Sequence, residues 1–545
     1  MKPLINICSE SFILLAGEVH NSNSSSIEVM ELIWQKARKL NLNTLFLPIT
    51  WELLEPEEGK FDFSIVDQLI EQARKYELHI GFLWFGAWKN AQCYYAPEWV
   101  KCNLERFWRA EAQKGKKKIN LQNFHGMPYT TLSSHCEETR KADGRAFAAL
   151  MRQIREKDER EHTVVLIQVE NEAGLQGAAR EHSYYADKLF YEKVPLEFAD
   201  YMRSHTDEMS EDVRKSIEKG MGCGTWEEVF GAVAEEVFQT YSVARYIEYV
   251  AAAGRKEYDL PMMVNAWLDK GQEAGMYPSG GPVARMMEVW RYCAPHIDVF
   301  APDIYVQDFC AVCDEYTKLG NPLIIPETAM HGHAGPRLVY VVGHYHALGF
   351  SPFGFEDMGQ PFTAMDSYLF GVDVSDPLLV TPQDEEEYAW YNKTLASMIP
   401  LLTSKYGTKD LQAVISERPE QDTMVFRQFG FKAMMDMPVI TRKDGVCLAL
   451  QVSGNEFYLI ANGCMVAPFS ANPKKPNVDV LSLEEGEIRE GKWYMRRRLN
   501  GDEVASMRYD KPVLLKIKLF AYQQEYNELE ISGDSGRLKQ AEKIK

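Results

Sequence analysis

Residues 163–174 read Thr-Val-Val-Leu-Ile-Gln-Val-Glu-Asn-Glu-Ala-Gly. An apolar, β-branched run breaks abruptly into Gln168, Glu170, Asn171 and Glu172. A buried strand does not end in ionisable groups unless they have partners or work to do. A second such break lies far downstream, where Leu323-Ile324-Ile325-Pro326 delivers Glu327. Two carboxyl groups, each at the C-terminal end of an apolar strand, are what cleavage of a glycosidic bond needs. Asn171, beside Glu172, can donate an amide hydrogen bond to a sugar hydroxyl. Glu170 shares the parity of Glu172 but lies one layer deeper, which points to a buried supporting role.

The elements that would position these groups alternate between strand and helix patterns. Phe12–Gly17 is a strand candidate. Ser25 with Glu28 reads as a capping box, and Met30, Ile33, Ala37 and Leu40 follow at helical spacing. Thr44–Ile49 is the second strand. A helix from Ser64, with Asp67 three residues on, carries Val66, Leu69, Ile70 and Ala73 on one side. His79–Trp84 and Val164–Val169 are the third and fourth strands. Met262–Asn265, Val299–Asp303, Pro322–Pro326 and Gly349–Phe355 complete a set of eight. Eight βα units predict an α/β fold, a closed (β/α)8 TIM barrel with its active groups at the C-terminal strand ends. The rival, an open doubly wound sheet, lacks the glycine-rich first turn of a dinucleotide site. Strands four and seven face each other across the mouth of such a barrel, which would bring Glu172 and Glu327 together.

Long connections, 90–145 after strand three and a mostly helical 174–258 after strand four, would wall the pocket. Position alone nominates further substrate-binding residues. They are Glu18 and His20 after strand one, Trp51 after strand two, and Trp84, Trp88 and Asn90 after strand three. Asn265 and Trp267 end strand five, Asp303 and Tyr305 end strand six, and Phe355 and Glu356 end strand eight. The polar members suit hydroxyls and the aromatics suit a stacking floor. Near residue 405 the texture changes to short β-type runs, among them Leu448–Val452, Glu456–Ile460, Trp493–Met495 and Val513–Leu519. The expected organisation is therefore a catalytic barrel over 1–405 and a β-rich, sandwich-like domain over 406–545, its charged end frayed from Gly533.

With 545 residues, the chain exceeds what one core supports, and its 46% hydrophobic content can build more than one. The net charge of −19 disfavours nucleic acid and anionic membrane surfaces as partners. The basic run Lys114–Lys118 lies in a loop-like stretch and reads as a solvated patch. No apolar run is long enough for a transmembrane helix, and Ser9, Glu10 and Ser11 interrupt any signal-peptide core. The ten cysteines form no framework, so free thiols and a cytoplasmic location are expected. Cys310 and Cys313 form a lone CxxC pair that cannot close a zinc site, so no metal and no cofactor are expected. A small carbohydrate is the expected partner, and composition leaves a homo-oligomer open.

The segment 167–174 closely resembles the strand-four signature of family 35 β-galactosidases. Trp51-Glu52-Leu53-Leu54-Glu55-Pro56-Glu57-Glu58-Gly59-Lys60-Phe61-Asp62-Phe63 resembles the segment after strand two in families 35 and 42. The resemblance covers roughly residues 12 to 370. It implies a retaining (β/α)8 glycosidase in which Glu172 is the acid/base and Glu327 the nucleophile; the position of Tyr305 after strand six suits a hydrogen bond to that nucleophile. Glu55 and Asp62 read as structural turn residues. The chain departs from the pattern at Ala173, where a tyrosine is usual, and at the strand-three segment Trp84–Asn90. It also lacks the four-cysteine zinc cluster of many family 42 members. The expected function is a retaining exo-β-glycosidase acting on β-galactosides. The alternatives are the same chemistry on a β-glucoside, an α-L-arabinopyranoside or a β-galactofuranoside, a non-catalytic carbohydrate-binding barrel, and a metal-dependent barrel hydrolase. The last lacks an evident His/Asp ligand set.

Overall fold

The computed structural model describes residues 5–7, 10–114, 117–119, 121, 129–306, 308–361, 363 and 380–524. Its larger sheet has eight strands: β1 (Leu14–Glu18), β2 (Thr44–Thr50), β3 (His79–Phe85), β4 (Val164–Val169), β5 (Met262–Trp267), β6 (Val299–Asp303), β7 (Ile324–Thr328) and β8 (Gly349–Pro352). They pair in parallel in the order β6-β5-β4-β3-β2-β1-β8-β7. A parallel bridge between Ile304 and Thr328 joins the two ends, with the Ile304 amide donating to the Glu327 carbonyl at 2.9 Å. The sheet is therefore a closed barrel. The expected strands appear in their expected order, shifted by a few residues at their ends. The final strand stops at Pro352, short of Phe355, because Gly354 turns the chain with φ +66°.

Alternation along each strand divides the barrel into two apolar populations. Leu14, Ala16, Phe46, Leu83, Met263 and Ala301 fill the interior. Leu45, Ile80, Phe82, Trp84, Ile167 and Val264 face outward to the helices. The same parity decides which strand-end side chains reach the mouth. Glu18 follows Leu14 and Ala16 inward, Asn265 follows Met263, and Asp303 follows Ala301. Trp84 follows Ile80 and Phe82 outward. Glu327 would face outward from a regular β7, since Ile324 is an interior residue. A register irregularity between Ile325 and Thr328 turns it inward instead.

The surrounding helices include α1 (Ile27–Lys39), α2 (Ser64–Lys75), α3 (Glu137–Asp158), α4 (Ala234–Glu257), α5 (Met287–Cys293), α6 (Phe309–Thr317) and α7 (Ala334–Tyr340). The cap of α1 is Ser26, whose hydroxyl accepts from the Val29 amide at 3.4 Å. Ser25, the expected cap, instead spends its hydroxyl on the Ser22 carbonyl at 2.6 Å. On α2, Val66, Leu69, Ile70 and Ala73 are buried as their spacing predicts. The run around Lys114–Lys118 is not a plain loop: Ala112–Lys114 and Lys117–Ile119 pair antiparallel. Between β4 and α4 lie four short helices, Tyr184–Phe190, Leu196–Ser204, Glu211–Lys219 and Trp226–Phe230. Among the described residues, no helix is long and apolar enough to cross a membrane.

Beyond α8 (Glu385–Thr403) the chain is mostly β: β9 (Leu411–Ile415), β10 (Thr423–Val425), β11 (Phe429–Met434), β12 (Val446–Gln451), β13 (Glu456–Asn462), β14 (Cys464–Ser470), β15 (Asn477–Arg489), β16 (Lys492–Leu499), β17 (Arg508–Tyr509) and β18 (Val513–Tyr522). Two antiparallel sheets form, in the orders β9-β12-β13-β18-β15-β16 and β10-β11-β14-β17. Between them Phe431, Phe457, Leu459, Leu515 and Ile517 make a separate core. The segment from Gly533, expected to fray, lies outside the described residues. The larger of these sheets is buried on its other face as well, because Leu411, Ala413, Val446 and Leu448 belong to the same apolar cluster as the barrel helices. Gly343 allows that close approach, since a Cβ there would sit 2.6 Å from the Ala413 Cβ.

A buried ion pair ties the same contact. Arg337 of α7 donates twice to Glu417, just past β9, at 2.8 Å each. Arg337 and His333 hold the Glu417 carboxyl down at about 2 against the upward push of burial. Removing one partner would leave the other charge buried alone, at a cost of about 3–5 kcal/mol. Arg337→Met should therefore lower the urea midpoint of unfolding, and adding Glu417→Gln should recover part of the loss. An unchanged midpoint in the single variant would show that the pair does not bind the two parts together.

Candidate active site

Glu172 lies three residues past β4, and the turn that presents it is left-handed at two non-glycine residues, Glu170 (φ +65°) and Glu172 (φ +44°). Such residues rarely hold this conformation unless the surroundings impose it. Here the imposing bonds are visible. The Glu172 amide donates to Asn265 Oδ1 at 2.9 Å, and the Asn171 amide donates to the Trp88 carbonyl at 3.3 Å. Glu172, Asp303 and Glu327 each bring an oxygen within 4.8 Å of the others, and all three are buried.

Glu327 is held by three neutral donors. Tyr305 Oη donates to its Oε2 at 2.9 Å, while Asn171 Nδ2 and Asn265 Nδ2 donate to its Oε1 at 3.1 and 3.3 Å. Asn265 Nδ2 also donates to Asp303 Oδ2 at 2.8 Å. The Asn171 amide is oriented from its other side: Lys89 Nζ donates to Asn171 Oδ1 at 3.0 Å, with the Asn90 amide at 3.4 Å. Lys89 is buried and feels Glu327, Glu172, Glu18 and Asp303; their attraction outweighs burial and keeps its ammonium protonated.

Protonation within this cluster follows from burial and like charge. Burial, then the charge of Glu327, push the Glu172 carboxyl up to about 7, with Lys89 and a hydrogen bond from Asp303 partly opposing. Burial, then Glu327, holds Asp303 well above the carboxylate range. Glu18 is likewise held high by burial and Glu327, and among the described residues neither of its oxygens has a hydrogen-bond partner. Near neutral pH such a cluster can hold an acid at Glu172 close to its midpoint, which is how a general acid is made. Three converging carboxyls could also receive a hard cation, although Lys89 already supplies positive charge beside them.

The structure sorts the residues nominated from sequence. It gathers Glu172, Glu327, Asn171, Asn265, Asp303, Tyr305 and Glu18 around one point, with Asn90 adjoining through its amide. Glu356 stands near, accepting from the His20 amide and Asn23 Nδ2 at 2.8 and 2.6 Å, with its other oxygen unpartnered among the described residues. Trp267 ends β5 partly buried, on the inward parity of Asn265. His20 sits on the rim, its ring 2.8 Å from the exposed Asp357. Four aromatics lie in the wall instead. Trp84 Nε1 donates to Asp143 of α3 at 2.9 Å, and Trp88 packs edge-on against Tyr246 of α4. Trp51 Nε1 donates to Glu55 at 2.8 Å, and Phe355 packs over Gly17. Trp84 follows the outward parity of β3, and the other three lie on turns past their strands and pack into the wall, so proximity to a strand end did not suffice. Lys89 was missed, although a lysine beside two nominated residues and inside an apolar stretch was the available signal.

Residues 20–205 match the family model of glycoside hydrolase family 42, described as beta-galactosidase; the match includes Asn171 and Glu172 and ends before β5. Residues 389–509 match a domain of unknown function, DUF5597. No curated protein matches the chain. Among solved structures, a β-galactosidase from Bacillus circulans sp. alkalophilus aligns at 13% identity and a TM-score of 0.46, covering 72% of this chain and 57% of that one. One from Rahnella sp. R3 aligns at 13% identity and 0.45, with the same coverages, 72% and 57%. One from Marinomonas ef1 aligns at 11% identity and 0.45, covering 73% and 61%. The chain thus spans less than two thirds of the lengths of these proteins.

The electrostatics give a direct test that needs no substrate. If Glu327 raises Glu172, then Glu327→Gln removes a like charge and the Glu172 titration falls below about 7. Carbon-13 NMR of glutamate-labelled protein reads that titration, and an unmoved midpoint would refute the coupling.

Proposed function

Taking the barrel as a divergent member of the family-42-like β-galactosidase group, we propose that this protein is a retaining exo-β-glycosidase acting on small β-galactosides. Glu327 attacks the anomeric carbon while Glu172 protonates the departing glycosidic oxygen, leaving a glycosyl ester on Glu327. Glu172, now a carboxylate, takes a proton from water as that water attacks the same carbon, and Glu327 departs. The observation that carries this reading is the approach of Glu172 and Glu327 oxygens within 4.8 Å. Retaining enzymes hold their two carboxyls about 5–5.5 Å apart, whereas inverting enzymes leave about 6.5–9.5 Å for a water.

The surrounding groups support the division of labour. Tyr305, Asn171 and Asn265 spread the charge of Glu327 without protonating it, which suits a nucleophile. Desolvation brings the midpoint of Glu172 close to neutrality, which suits an acid, and donation from Asp303 favours its ionised form once the proton has gone. Glu18, whose two buried oxygens have no partner among the described residues, is suited to a sugar hydroxyl. The described cysteines are all unpaired, in keeping with work in a reducing compartment on small glycosides.

A panel of nitrophenyl glycosides tests the reading. Wild type should cleave the β-galactoside, and Glu172→Gln and Glu327→Gln should each lose about 10²–10⁴-fold in turnover. Azide should rescue small-residue replacements, giving a β-azide at position 172 and an α-azide at position 327. Activity should survive EDTA. Preference for another sugar would correct the substrate and leave the mechanism. Variants that turn over like wild type, or loss of activity in EDTA, would sink the two-carboxyl scheme.

A further inference from the structure

Behind the proposed catalytic centre lies a second pair of acids that the reaction scheme does not use. Asp143 of α3 and Glu170, just past β4, are both buried and hydrogen-bonded to each other. Each also accepts from its own side of the contact. Trp84 Nε1 and Tyr246 Oη donate to Asp143 at 2.9 Å each. The amides of Trp88 and Ala87 donate to the two oxygens of Glu170 at 2.7 and 3.2 Å. Gly86 makes the approach feasible, since a Cβ there would lie 2.4 Å from Trp84 Nε1, 2.6 Å from Glu170 Oε1 and 2.8 Å from Asp143 Oδ1.

The groups facing this pair are few. α3 contributes Asp143, α4 contributes Tyr246, and the β3 end contributes the Trp84 indole and two backbone amides. Among the described residues no lysine, arginine or histidine bonds or ion-pairs with either carboxyl. Two carboxylates in contact, buried, without a cation, cannot both be ionised; one hydrogen must lie between them. We propose that Asp143 and Glu170 share one proton and act as a clamp that positions Lys89, and through it Asn171 and Glu327. The chain of contacts is continuous. Glu170 fixes the amides of Ala87 and Trp88, the next residue is Lys89, and Lys89 bonds Asn171 at 3.0 Å, which bonds Glu327 at 3.1 Å. Glu170 also begins the left-handed turn that presents Asn171 and Glu172.

These are positioning residues, and Glu170→Gln separates their role from simple packing. The glutamine keeps its oxygen for the shorter bond from the Trp88 amide and gives up the longer one from Ala87, while its own N–H replaces the shared proton toward Asp143. That hydrogen cannot be removed by base. For its activity readout the inference rests on the proposed glycosidase reaction, so the substrate is a dinitrophenyl glycoside, whose leaving group needs no acid from Glu172. We expect the wild-type kcat/KM for this substrate to fall reversibly at alkaline pH, as the shared proton leaves and two adjacent anions separate. Glu170→Gln should remove that fall while keeping activity near neutrality within a few-fold. Glu170→Ala should lose about tenfold to a hundredfold at every pH.

Superimposable alkaline profiles for wild type and Glu170→Gln, or near-wild-type activity in Glu170→Ala, would overturn the clamp. Thermal melting against pH keeps the test alive if no aryl glycoside is cleaved, an outcome that would overturn the proposed function instead. A carboxyl held protonated by folding gives stability that is lost as pH rises toward its folded value. Between pH 6 and 9 the melting temperature should therefore fall less in Glu170→Gln than in wild type. Equal slopes would again overturn the clamp.

Discussion

Four carboxyls and one ammonium are packed into a single buried volume at the barrel mouth, and most of the surrounding structure answers to that fact. Glu18, Glu172, Asp303 and Glu327 cannot all be ionised with Lys89 as the nearby buried cation. The barrel resolves this by giving each group a different environment. Glu327 receives three donors, Glu172 accepts from Asp303, and Glu18 has no hydrogen-bond partner among the described residues. Burial and like charge hold Glu18, Asp303 and Glu172 above the usual carboxylate range, and unequal hydrogen bonding adds a gradient among groups of the same chemistry. That gradient is what separates an acid from a nucleophile, and it needs rigid walls to persist.

Those walls explain the buried tryptophans. Trp51, Trp84 and Trp88 stand close in sequence to the site, yet none offers it an open face. Each makes a bond or an edge contact that fixes a loop: Trp51 to Glu55, Trp84 to Asp143, Trp88 to Tyr246. Aromatic rings in a sugar enzyme need not stack on sugar; here they lock the loops on which Lys89, Asn171 and Glu172 depend.

The strand order and the two glutamates were legible because apolar runs ending in acids are rare and their ordinal positions are informative. The barrel could be read from those runs, and α2 from its four-residue apolar stripe. Three features fell outside the sequence reading, two of them because only the folded chain reveals them. The inward turn of Glu327 depends on a register irregularity in β7, which no local pattern encodes. The outward turn of Trp84 follows from parity, a rule that was available and outweighed by position. The Asp143–Glu170 and Lys89–Asn171 contacts join residues 27 and 82 positions apart, so only the folded chain reveals them. The capping serine was misplaced by one residue because three serines stand in a row and a preceding turn claimed one of them.

The closure of the barrel carries a kinetic implication. Seven neighbouring strand pairs share ladders, whereas β6 and β7 meet through one bridge, built on the Glu327 carbonyl and supported by the Thr328 hydroxyl on the Ile304 carbonyl at 2.8 Å. The backbone of Glu327 is thus the latch of the barrel as well as the bearer of its side chain. A seam with one rung is the place where the cylinder would open first and zip last. Breathing at that seam would move Glu327 away from Tyr305 and Asn171 in the same event. Local unfolding and loss of the site would then be one process, visible as hydrogen exchange at the Ile304 amide.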